Sequence, residues 1–314
     1  MIDLEHIEHW LSVRAYGVYT SALFRPDTAP ARLRARFERW ASTSREELQR
    51  KYPRLCFQDH SLGPLGMESV CAVATPRCAI LHLHGGAFCF GSIASYRQRA
   101  MRFSFRCDAE VFVPAYRLAP EHPFPAALDD AFTAYLYVRA LRPGVPIFVS
   151  GDSAGGGLAL SLLARLRDRR HALPAGAIAL SPWTDLTSRP RTPRRDRWLT
   201  PAHLARWSAY YAGSADRDAP ELSPVFADLS RLPPLLLLAG EDEILLDDAV
   251  RTAAVAQRGG TVARVLVGRH MQHDWPLTLP RLEESKRAWS EIRAFVDAQC
   301  KLAAPIERAE AHVF

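Results

Sequence analysis

IFVSGDSAGGGLAL, Ile147 to Leu160, changes its periodicity in the middle: a short apolar run of strand character gives way, through small residues, to a helical pattern that continues to Arg169. At the junction, Gly151-Asp152-Ser153-Ala154-Gly155 fits G-x-S-x-G in the context that gives this motif meaning, a strand before it and a helix after it. Small residues permit a sharp, strained strand-to-helix turn that lifts the serine hydroxyl above the sheet. The following helix N-terminus directs positive dipole at any negative charge that develops there. Ser153 is therefore read as a nucleophile rather than an ordinary helix cap.

Outward from this turn, apolar runs alternate with helical patterns. Ala79 to Leu83, Val111 to Tyr116, Ala177 to Leu180, Leu235 to Ala239 and Val262 to Val267 are strand candidates, and Ala126 to Leu141, Leu246 to Arg258 and Leu282 to Cys300 are helices. Such βα alternation predicts an α/β fold with a mostly parallel central sheet and helices on both faces. Leu55 to Asp59 and Glu68 to Ala74 flank Gly63-Pro64 and read as a hairpin at the start of that sheet. Before it, residues 1–52 read as N-terminal helices, with Leu4, Ile7 and Leu11 and then Leu33, Phe37 and Trp40 at helical intervals, interrupted by Pro26 and Pro30. The remainder, 53–314, reads as the main domain. It carries an insertion at about 187–219, where the alternation breaks before a helical stretch from Pro201 to Tyr211. The insertion follows a strand's C-terminal end, where α/β proteins bind ligands, so with the N-terminal helices it is expected to form a helical cap.

A serine hydroxyl is a weak nucleophile until a base takes its proton and an acid orients the base. The chain order serine, acid, histidine directs attention downstream. There the run Leu235 to Ala239 ends in Gly240-Glu241-Asp242-Glu243, three acids at one strand edge, any of which can serve as the orienter. Val262 to Val267 is followed by a loop holding His270 and His273, the expected place of the base. Upstream, His84-Gly85-Gly86-Ala87-Phe88 follows a strand as oxyanion loops do, and the N–H groups of Gly85, Gly86 and Ala154 are assigned to the hole. Arg117, Glu121 and Asp129 read as a buried polar network of the scaffold, and His82 as a strand residue. Asp152 fits two scaffold roles, bracing the turn at Ser153 or stiffening the oxyanion loop.

A net charge of +6 raises the question of nucleic acid, but the arginines are dispersed among acids and form no basic helix, so no nucleic-acid partner is expected. The cluster Arg191 to Arg197 reads as a solvated loop. Six cysteines lack any C-x-x-C pair, so neither a zinc site nor a redox centre is predicted, and no metal or organic cofactor is required. The opening MIDLEHIEHW lacks the basic start and apolar stretch of a signal peptide, and no run is long enough to span a membrane, from which a cytoplasmic location is expected.

HGGAF at His84 to Phe88, YRLAPEHPFPAALDD at Tyr116 to Asp130, GDSAGG at Gly151 to Gly156, SPWTDL at Ser181 to Leu186, the stretch Leu232 to Ala249 and MQHDW at Met271 to Trp275 together resemble the hormone-sensitive-lipase-like bacterial esterases of the α/β-hydrolase fold. The resemblance spans about residues 77 to 299. It implies a serine carboxylesterase acting on short to medium acyl esters through an acyl-enzyme, with no cofactor and a small-molecule ester as partner, and it extends to a homodimer as an expectation. In that family the acid precedes the leucine of G-x-x-[DE]-x-L-x-D by two residues, which selects Glu243 over Asp242, although most members carry Asp. The family's histidine follows Met-x, which selects His273 and leaves His270 in the loop; Asp274 departs from the apolar residue of many members. Trp10, Tyr16, Phe24, Trp207, Tyr210 and Tyr211 are the aromatic residues available in the expected cap to wall an acyl pocket. Plant gibberellin receptors, which resemble the same family, bind a hormone in this pocket with the histidine replaced; here serine, acid and histidine are all present.

Overall fold

Five of the apolar runs of the sequence become strands that are buried from end to end. In a computed structural model, which describes residues 28–303 apart from 188, 190, 191, 193 and 195, β3 (Cys78–Leu83), β4 (Ala109–Pro114), β5 (Ile147–Asp152), β6 (Gly176–Leu180) and β7 (Leu235–Gly240) expose no residue. Continuous burial requires cover on both faces. The cover comes from helices Ile93–Cys107, Ala126–Leu141, Ala154–Asp168, Leu246–Arg258 and Glu283–Ala303. The expected helical segment before residue 28, with Leu4, Ile7, Leu11, Trp10, Tyr16 and Phe24, lies outside the described residues.

With β1 (Cys56–Leu62), β2 (Leu65–Cys71) and β8 (Ala263–Gly268), the sheet has eight strands in the order β1-β2-β4-β3-β5-β6-β7-β8. β1 and β2 form the hairpin about Gly63-Pro64, and β2 pairs antiparallel with β4; every other pairing is parallel. Chain order reverses between β3 and β5, the switch point at which open α/β sheets leave a crevice beyond their strand ends. The register Leu83↔Gly151 sets the loop after β3 and the turn after β5 side by side in that crevice.

The helix after Ser153 is buried along Ala154 to Leu166, which explains its nearly unbroken run of small and apolar residues. Its glycines permit close approach: a Cβ on Gly155 would overlap the Leu83 carbonyl oxygen, and one on Gly157 that of Trp183. Helix Ile93–Cys107 is an addition to the sequence reading. Its apolar face is interleaved with arginines, but Ser92 and Ser95 close a capping box at its start.

Two anchors hold the N-terminal helices Pro30–Ala41 and Arg45–Lys51 to the body. Arg34 donates to the carbonyls of Cys89 (2.6 Å) and Ala119 (2.7 Å), beside the glycine loop. Buried Glu68 of β2 receives Arg45 (2.7 Å) and Arg97 (2.9 Å). The expected network of Arg117, Glu121 and Asp129 separates into three pairs: Arg117 with Asp130, Glu121 with Arg34, and Asp129 with Arg165. On the helix Ala126–Leu141, neighbouring carboxylates point in different directions, so Asp130 rather than Asp129 meets Arg117.

Candidate active site

The turn at Ser153 is strained. Its backbone stands at φ 53°, ψ −120°, a conformation rarely tolerated outside glycine, and its amide donates to Leu180 (2.8 Å) while its carbonyl accepts from Trp183 (2.9 Å). Gly151 and Gly155 touch across the turn so closely that a Cβ on Gly151 would overlap the Gly155 carbonyl. Ser153 lines a cleft together with Gly86, Ala87, His273 and Asp274. Phe37 of the helix Pro30–Ala41, Phe90, Trp198, Leu199, and Leu204 and Trp207 of the helix Pro201–Ala212 complete much of its apolar wall. Of the aromatic residues expected in that wall, Trp207 is present. Tyr211 instead stacks on Phe88 with centroids 3.6 Å apart, and Tyr210 receives Arg206.

The acids after β7 separate by depth. Glu241 pairs with His270 at the exposed surface, 3.3 Å apart. Asp242 is half-buried, while Glu243 is fully buried with Oε2 3.6 Å from Nδ1 of His273. Ser181, at the end of β6, donates to the same Oε2 (2.7 Å) and accepts from the Asp274 amide (2.9 Å), tying the acid loop to the histidine loop. Burial raises the Glu243 pKa, and the neighbouring His273 and the hydrogen bond from Ser181 oppose the rise. Burial alone would lower the pKa of His273, but the adjacent Asp274 and Glu243 carboxyls outweigh it and push the imidazole up to about 10. Asp274 is itself held well above the usual carboxylate range by burial and by the charges of Asp152 and Glu243.

The glycine loop departs from the sequence reading at Gly85. Its N–H is already engaged with the Tyr96 hydroxyl (2.9 Å) and Asp152 Oδ1 (3.0 Å), so it positions the loop and does not face a substrate. Gly86 (φ 114°) and Ala87 (φ 52°) turn the backbone into the cleft, and among the described residues neither N–H has an acceptor. A side chain on Gly86 would overlap the Phe90 carbonyl. Ala154 is the first residue of its helix, where an amide lacks an intrahelical partner. The hydrogen bonds also separate the two roles open to Asp152: its carboxylate braces the glycine loop. Tyr96 donates to Oδ2 (2.6 Å) and His82 Nε2 stands 3.2 Å from Oδ1. Burial works against ionisation of Asp152, yet His82, Arg99 and Tyr96 outweigh it and its pKa is lowered.

Sequence reasoning passed over Ser181 and Tyr96, and treated Asp274 only as a departure. Ser181 carried a faint signal, being the polar residue directly after an apolar strand. Tyr96 lies in the arginine-interleaved helix Ile93–Cys107, eleven residues beyond the glycine it holds. The insertion is pinned beside the acid: Asp196 accepts the amides of Trp198 (2.7 Å), Leu199 (2.9 Å) and, across to the β7 loop, Ile244 (2.9 Å). Within the run Arg191 to Arg197, Arg194 pairs with Asp247. Among the described residues there is no cluster of metal-ligating side chains and no helix long and apolar enough to cross a membrane.

Residues 80–277 match the family model of the alpha/beta hydrolase fold. The chain belongs to this family, and within it to the bacterial hormone-sensitive-lipase group. An acetyl-hydrolase of Streptomyces hygroscopicus is 38% identical over 224 residues, 69% of this chain and 74% of the relative. An esterase of Acinetobacter venetianus is 34% identical over 235 residues, 73% of this chain and 77% of that protein. Among solved structures, an esterase/lipase from an uncultured bacterium superposes on this α/β-hydrolase with a TM-score of 0.83 at 31% identity, covering 92% of this chain and 99% of the other. An esterase of the bacterial hormone-sensitive lipase family gives 0.81 at 30% identity, with 91% and 97% covered.

Proposed function

We propose that this α/β-hydrolase is a serine carboxylesterase that cleaves short to medium acyl esters through an acyl-enzyme, with Ser153 as nucleophile, His273 as base and Glu243 as the orienting acid. Membership of the group makes it a carboxylic ester hydrolase; the individual roles and the substrate range are our assignment. The observation that carries them is the meeting, in one apolar cleft, of strained Ser153, a histidine backed by a buried glutamate, and unengaged backbone amides.

In this reading His273 takes the Ser153 proton as the hydroxyl oxygen attacks the ester carbonyl, and Glu243 holds the imidazole through Nδ1 and stabilises its charge. Negative charge collects on the carbonyl oxygen, where the amides of Gly86 and Ala154, joined by Ala87, replace the set that included Gly85. The imidazolium returns its proton to the leaving alcohol, and water repeats the sequence on the acyl-enzyme. A helical cap formed by residues of the 1–52 segment and the 187–219 insertion supplies the wall that includes Phe37, Leu204 and Trp207. The bulky residues around the cleft limit the acyl chain.

The test is hydrolysis of p-nitrophenyl acetate, butyrate, octanoate and palmitate by the wild type and Ser153→Ala. Turnover that peaks at the shorter esters and disappears with Ser153 supports the proposal. Turnover that survives the substitution removes Ser153 from its role, and a maximum at palmitate removes the short-chain reading.

A further inference from the structure

One flank of the cleft is polar where alkyl esters would call only for apolar contact. Asp274 directly follows His273, adopts φ 55°, and lines the cleft beside Arg99 and Tyr96. It is 6% exposed. Its Oδ2 lies 3.3 Å from His273 Nε2, and its Oδ1 has no hydrogen-bond partner among the described residues. Nε2 is the nitrogen that must hand a proton to the departing oxygen, so a group at its side neighbours the leaving alcohol. A buried polar atom left unanswered in a ligand cleft is costly in the free protein and selects for a ligand that answers it.

Resting on the esterase reading and deepening it, we propose that Asp274 is a specificity residue that accepts a hydrogen bond from a hydroxyl on the leaving alcohol, so that the preferred substrates are monoesters of diols and polyols. A hydroxyl fits better than an ammonium group, because the Arg99 guanidinium lines the same cleft and repels a cation. The reaction itself is unchanged: the acyl–oxygen bond breaks, the acyl group passes to Ser153 and the diol leaves with the proton from His273.

The experiment compares kcat/KM for 2-hydroxyethyl, 2-methoxyethyl and propyl butyrate, each corrected for its rate of alkaline hydrolysis. The first differs from propyl butyrate in a hydroxyl for a methyl, and the second keeps the oxygen but cannot donate. The wild type is expected to favour the hydroxyethyl ester by about ten-fold or more, the scale on which sites built for a hydrogen bond discriminate, with the methoxyethyl ester at the propyl level. Asp274→Asn, which keeps an acceptor, should retain most of the ratio, and Asp274→Val should bring it to about one, whatever its absolute rate. Equal turnover of the three esters by the wild type, or a preference that persists in Asp274→Val, overturns the inference while leaving the esterase reading intact. The wild-type comparison decides even if the valine variant does not fold. Turnover of none of the esters removes the esterase reading, and this inference with it.

Discussion

Replacing Asp152 by alanine removes a buried acceptor that takes hydrogen bonds from the Gly85 amide at 3.0 Å and the Tyr96 hydroxyl at 2.6 Å and that has His82 Nε2 3.2 Å away. Gly85 would keep the Tyr96 oxygen at 2.9 Å, so the bond from the Tyr96 hydroxyl to a charged acceptor is the one lost without replacement. At about 1.5–3 kcal/mol for a hydrogen bond to a charged group, that loss is a sizeable share of the roughly 5–15 kcal/mol that usually separates folded from unfolded protein. The variant should therefore fold but unfold at clearly lower denaturant. Its catalytic deficit has a separate origin. The amides of Gly86 and Ala87 depend on Gly85 for their aim, and losing one oxyanion donor costs on the order of 3 kcal/mol of barrier, so partial misplacement should lower kcat by about 10–100-fold. Those amides act mainly on the transition state, so KM should stay within about three-fold. Asp152→Asn can keep its oxygen on Gly85 and turn its amide to the Tyr96 oxygen, and should fall between the two. Urea unfolding and kcat with p-nitrophenyl butyrate make the measurement. An alanine variant as stable as the wild type, with kcat within about two-fold of it, would refute the account of Asp152 as the brace of this loop.

On the proposed roles, Glu243→Gln should lower kcat by about 10²–10⁴-fold, because the amide can mis-set the His273 tautomer; steady-state kinetics at fixed pH would show it, and a loss under ten-fold would point to another acid. Gly86→Ala should lower kcat by at least about 100-fold, since the added methyl displaces the Phe90 carbonyl and with it the amide facing the cleft; near-wild-type kcat in a folded variant would exclude Gly86 from the hole. Asp274→Asn removes a neighbour that raises the His273 pKa, so the imidazole becomes a free base at lower pH. The acidic limb of kcat/KM should accordingly move down by about one unit or more, and a limb that stays in place or moves up would refute the coupling.

The sequence alone was enough for the architecture and for the places where chemistry sits. The change of period across Ile147 to Leu160 specifies strand, tight turn and helix, because local sterics and apolar spacing suffice for each. The same logic put His273 and the acids after β7 in loops at strand ends. Tertiary structure decided which group on each loop points inward. Glu241, Asp242 and Glu243 are equivalent as letters, and only the packing of Ser181 and the histidine loop buries Glu243 and leaves Glu241 outside with His270. Gly85 and Gly86 differ by one residue, yet the first spends its amide on Asp152 and Tyr96. Those partners lie 67 and 11 positions away and meet it only because β3 and β5 are sheet neighbours and helix Ile93–Cys107 packs beside them. Element type follows from interactions within a few residues, whereas the direction of a buried polar side chain follows from partners brought together by the whole sheet.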